Sequence, residues 1–154
     1  MSTIVFLYFA FVGLQGNPAK VPTAAPTIVT ARQVNGTWRS GRNEFRIWAL
    51  GQQKLRVEFS GSYRYKNPGG MMVNVGEGAG IASIEGDTAT FKPEGVEGEC
   101  KITMKFTNGK LIAEQEGGCD FGLNVTAAGT YRKVSGQKPK FETSKSGRLI
   151  GIGR

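Results

Sequence analysis

The chain has 154 residues, 23 of them glycine, two cysteines and no histidine. One domain with one modest core is the default at this length, and the missing histidine excludes His-based triads, histidine general acid–base work and histidine metal ligation. The net charge of +8 sits mainly in the flanks: Gly36 to Ser135 holds 13 Lys+Arg against 11 Asp+Glu, a balance that argues against nucleic-acid binding by the folded part.

In chain order, the first feature is IVFLYFAFVGL, Ile4 to Leu14. An apolar run this short matches the core of an export signal and is too short to span a membrane. Residues 1–16 are therefore expected to be a signal peptide, although no Lys or Arg precedes the run. Pro18, Pro22 and Pro26 follow at a spacing of four, so 17–34 is expected to be an extended linker. The segment 136–154 is polar, basic and broken by glycine, the composition of a disordered tail.

Between these flanks, 35–135 reads as strand after strand. FRIWAL places Phe45, Ile47 and Ala49 on one face, and LRVEFS does the same with Leu55, Val57 and Phe59. Gly51-Gln52-Gln53 supplies the turn between them. GIASIEGDTATF reads as a hairpin with Glu85-Gly86-Asp87 at its tip. KITMKF alternates Ile102, Met104 and Phe106 with polar residues, then meets Asn108-Gly109, a strong signal for a type I′ hairpin turn. LIAEQE and NVTAAGTYRKVS complete the series. About eight strands joined by short links imply an all-β, antiparallel up-and-down meander. A barrel is preferred to a sandwich, because hairpin connections dominate and closure removes exposed edges.

Cys100 and Cys119 flank the Asn-Gly turn. With no other cysteine and no histidine they cannot complete a structural zinc site. A turn centred on Asn108-Gly109 places Cys100 opposite Gly117, and a bulge at Gly117-Gly118 would bring Cys119 back to it. A disulfide at the open end of this hairpin is expected, in keeping with an oxidising compartment. Glu94, Glu97 and Glu99 lie close in FKPEGVEGEC, with Asp120 after the second cysteine, a carboxylate cluster of the kind that holds calcium weakly, but no D-x-D-x-D-G loop accompanies them. No cofactor and no catalytic constellation are expected.

The domain opens on NGTWRSG, and Gly36-Thr37-Trp38 resembles the G-x-W strand of the calycin type of barrel: lipocalins, fatty-acid-binding proteins and avidins. The resemblance extends through NGTWRSGRNEFRI and FSGSYRY. It implies a calycin-like barrel with a basic residue of the last strand set against the Trp. Arg132, in GTYRKV, is the candidate to plug that barrel end over Trp38. CDFGLNVTAAGTYRK resembles the C-terminal part of small exported bacterial proteins of uncharacterised role. Ser60-Gly61-Ser62-Tyr63 is one residue shorter than the S-G-x-x-Y stretch of c-type lysozyme inhibitors.

Aromatics without an evident core place are candidate contacts: Trp48 on the polar parity of its strand, Tyr63 and Tyr65 on one parity, and Phe121 in a glycine-flanked loop. The expected function is an exported, non-enzymatic binding protein, a monomer or small oligomer without a transmembrane segment. Its partner is a small hydrophobic molecule or lipid or, alternatively, a protein, as for an inhibitor of lysozyme-inhibitor type or an envelope interaction module. A carrier requires a dry cavity of several hundred Å3; a side-chain-filled interior removes it.

Overall fold

A computed structural model describes residues 28–142. The expected signal segment and most of the expected linker lie outside them, as does the end of the expected tail. A short helical turn α1 (Ala31–Val34) precedes β1 (Gly36–Ser40), β2 (Asn43–Gly51), β3 (Lys54–Asn67), β4 (Gly70–Glu85), β5 (Thr88–Phe91), β6 (Cys100–Thr107), β7 (Lys110–Gly117) and β8 (Gly129–Ser135). Each strand pairs antiparallel with the next, and β1 pairs with β8, so the sheet is a closed eight-stranded barrel in meander order. No helix among the described residues is long and apolar enough to cross a membrane.

Period-two alternation decides which side chains enter the core. Phe45 and Ile47 of β2, Leu55, Val57 and Phe59 of β3, Ile102, Met104 and Phe106 of β6, and Leu111 and Ala113 of β7 are all buried. The turns follow the chemistry of their residues. Asn108 and Gly109 both adopt positive φ, 43° and 75°, and the register around them pairs Phe106 with Leu111 and Cys100 with Gly117. β7 ends at Gly117, whose φ of +74° turns the chain, and a disulfide joins Cys119 to Cys100 with a Cα–Cα distance of 4.8 Å.

β4 departs from the expected pattern. Its run was expected from Gly80 onward, yet the strand begins at Gly70. The reason is glycine at alternate positions where an apolar signal would stand. Gly76, Gly78 and Gly80 lie opposite Gly61, Phe59 and Val57 on the inward face. A Cβ on Gly78 would lie 2.9 Å from the Phe121 ring and 3.0 Å from Pro93. Rings from other elements fill that space instead.

Both ends of the barrel are plugged. At one end Trp38, 1% exposed, packs edge-on against Phe106 at 5.7 Å between centroids and donates its indole N–H to the Val34 carbonyl at 2.9 Å. α1, expected as linker, is thus part of the closure. At the other end the segment after Cys119 folds across the opening. Phe121 packs on Phe59 at 4.7 Å, and the Asn43 side chain donates to the Thr126 carbonyl at 2.8 Å.

Candidate functional site

Among the described residues, buried side chains from every strand fill the interior of the barrel. An aromatic series runs down it: Tyr131 lies 4.9 Å from Phe45, Phe45 lies 5.1 Å from Phe59, and Phe59 meets Phe121. Phe91, Met104, Ile102 and Leu111 fill the remaining wall positions with no exposure. Such packing leaves an interior built like any protein core.

The basic residue over Trp38 is Lys133, not Arg132. The Lys133 ammonium lies 4.8 Å from the indole centroid and donates to the Arg32 and Gln33 carbonyls at 2.9 and 2.7 Å, capping the end of α1. Burial pulls its pKa down. Parity explains the correction: Tyr131 points inward with no exposure, so Lys133 shares its face, whereas Arg132 points outward opposite Lys110 and is exposed.

The four aromatic candidates do not form one site. Phe121 is buried in the plug, 7% exposed, because the inward glycines of β4 admit its ring. Trp48 lies half-buried on the outer wall, where Lys138 stands 5.6 Å from its ring. Residues expected to begin a disordered tail run across this wall. The Arg56 guanidinium stacks 4.2 Å over Phe141, and Glu142 donates its backbone N–H to Glu58 at 3.2 Å. The covering of Glu58, 6% exposed, raises its pKa, with burial outweighing the opposing contacts to Glu142, Arg46 and Arg56.

Tyr63 and Tyr65 do come together, and their setting is the most unusual part of the molecule. β2 pairs with β3 only as far as Ser60, and β5 pairs with β4 only from Ser83 to Glu85. Beyond Gly61 and Gly76, β3 and β4 pair only with each other, from Ser62↔Val75 to Asn67↔Gly70. This leaves a two-stranded ribbon of roughly 20 Å extending past the barrel end. One face carries Tyr63, Tyr65 and Met72, with the two rings stacked at 6.3 Å. The other carries Met71, Val73 and Val75 across from Lys66, Arg64 and Ser62. Met71 is 64% exposed, Val75 66% and Val73 49%. Contiguous apolar exposure of this kind is unusual on a monomer surface. The base is held by Asn74, which donates to the Leu123 carbonyl of the plug at 2.7 Å.

Beside that base lies an open, basic concavity of about 530 Å3 lined by Arg39, Arg42, Arg46 and Arg64 with Glu44 and Ser62. Glu44 is shared between Arg39 at 2.7 Å and Arg46 at 2.9 Å. Arg42, Arg64 and Lys66 make no ion pair among the described residues. The carboxylates considered for calcium do not converge: no group of three or more His, Cys, Asp or Glu suited to a metal occurs among the described residues.

Met71, Met72, Val73, Val75 and Arg42 were missed at the sequence level. A signal existed: Pro68-Gly69 sits between SYRYK and MMVNV, a turn pair between two strand-prone runs. Comparison with protein-family models, with curated proteins and with solved structures gives no match to this chain.

Proposed function

We propose that this chain is a non-enzymatic binding protein of an oxidising, extracytoplasmic compartment, which uses its barrel as a filled scaffold and docks on a target through the β3–β4 ribbon. The observation that carries this reading is the pairing of a packed interior with an apolar ribbon held outside it. A carrier of small hydrophobic molecules needs the reverse arrangement. The disulfide supports the oxidising compartment, and the short apolar run near the N-terminus supports export. Trp38 capped by Lys133, on the first and last strands of the closed sheet, supports a calycin-like frame reused for surface binding.

Among protein targets, a lysozyme fits poorly. The docking end carries Arg39, Arg42, Arg46 and Arg64 against Glu44 alone in the concavity, and a strongly basic partner would meet the unpaired Arg42 and Arg64 there. An envelope interaction module suits the site better than an inhibitor of that type. Native mass spectrometry of full-length protein purified from its own host tests the choice. The expected spectrum holds no stoichiometric small hydrophobic molecule. A co-purified lipid or other small ligand that resists exchange and shields core amides overturns the reading.

A further inference from the structure

We infer that the occupant of the ribbon is the surface of an anionic phospholipid bilayer, an assignment that rests on the docking role proposed above. Charge gives the sign of the partner. From Ser60 to Gly76 the only charged residues are Arg64 and Lys66, and the concavity at the ribbon base adds Arg42. Arg39 and Arg46 are shared with Glu44, Arg46 also faces Glu58 and Glu142, and Glu77 lies opposite Ser60, so among the described residues the cations free for a ligand at this end are Arg42, Arg64 and Lys66. The same end therefore presents exposed apolar side chains and cations together, the combination that membrane interfaces attract.

The placement of the apolar groups decides between a bilayer and a protein. Tyr65 and Met72 stand on one face of the ribbon, and Met71 and Val73 on the other. A strand added to a free edge would leave both faces in water, and a groove in a partner would cover one. Lipid surrounds both. Arg64 and Lys66 lie directly across from Val73 and Met71, so their long stems can run along apolar neighbours while the charged ends reach phosphate. The turn is suited to lead, since Asn67 accepts the Gly69 N–H at 2.9 Å and the two groups satisfy each other. The unpaired backbone edges limit the depth, because such groups are not tolerated in the hydrocarbon core. The tip enters the headgroup region, with Tyr65, Met71 and Met72 immersed and Arg42 and Arg64 of the base at the phosphates.

Full-length protein is co-sedimented with phosphatidylcholine vesicles and with vesicles containing phosphatidylglycerol. Retention is expected only on the anionic vesicles, and it falls as salt rises. Replacing Arg64→Gln with Lys66→Gln should weaken it about thirtyfold. Replacing Met71→Ser with Met72→Ser should weaken it by about tenfold, and unfolding curves should stay at the parent's temperature because the ribbon lies outside the barrel. Three results overturn the inference. Equal retention of both variants places membrane binding elsewhere in the chain. Loss with the charge variant alone means simple polyanion attraction. Absence of vesicle binding, with a protein cross-linked from ribbon positions, replaces the bilayer by a protein and leaves the docking role standing.

Discussion

Lys133 and Tyr131 carry much of the closure at the scale of single residues. Lys133 combines a cation–π contact with two hydrogen bonds to the end of α1. Replacing it with Ala should cost about 2–3 kcal/mol. The same change at exposed Arg132 should stay within about 0.5 kcal/mol; urea unfolding of the two variants checks the contrast. Tyr131 is fully buried and donates to the Ala127 carbonyl at 2.8 Å. Burial pushes its pKa up from 10.0 to about 12. A group raised in the folded state stabilises below its unfolded value and loses that stabilisation as pH climbs through the folded one. Stability should therefore fall between pH 10 and about 12 in the wild type. Tyr131→Phe should lose about 1 kcal/mol at neutral pH and show a shallower alkaline decline in thermal melts. Trp38 was legible because Gly-x-Trp opens a strand. Lys133 required counting parity inward from Tyr131 instead of choosing the nearer-looking arginine.

The β6–β7 hairpin shows how much local pattern determines at the scale of elements. Alternating Ile102, Met104 and Phe106, the Asn108-Gly109 turn and the resulting Cys100–Gly117 register were readable without coordinates, and the disulfide closes that hairpin. Double replacement of Cys100 and Cys119 with Ser should lower stability by about 3 kcal/mol through the freed unfolded loop, seen as a lower urea midpoint with a steeper slope, because the uncrosslinked chain exposes more surface on unfolding. β4 was largely hidden for the opposite reason. Its inward positions are glycines, so no apolar period marks them, and its outward end is Met and Val with nothing to pack against. Phe121 was misplaced by the same effect, since the space it fills is created by missing side chains at Gly76 and Gly78.

On the scale of the whole molecule, closure spends the apolar faces of the barrel strands on a core, and Tyr63, Met71, Met72, Val73 and Val75 are left exposed together at one end, while Leu50, Ile81, Ile112 and Val134 are exposed singly on the wall and turns. That division separates stability from function. Closure was predictable from short links and alternating faces. The docking end was not, because Arg39, Arg42, Arg46 and Arg64 meet only once β1, β2 and β3 are side by side, and because a ribbon is defined by where its neighbours stop pairing. The central claim is that the target is held by the ribbon and not by the interior. Photo-cross-linking in cells of the protein's own host tests this most directly, with a benzophenone side chain placed at Tyr65 or Met72 and, as controls, at Lys105 and Glu114 on the opposite wall. Adducts from the two ribbon positions alone are the expected result; adducts from the barrel wall with none from the ribbon would contradict it.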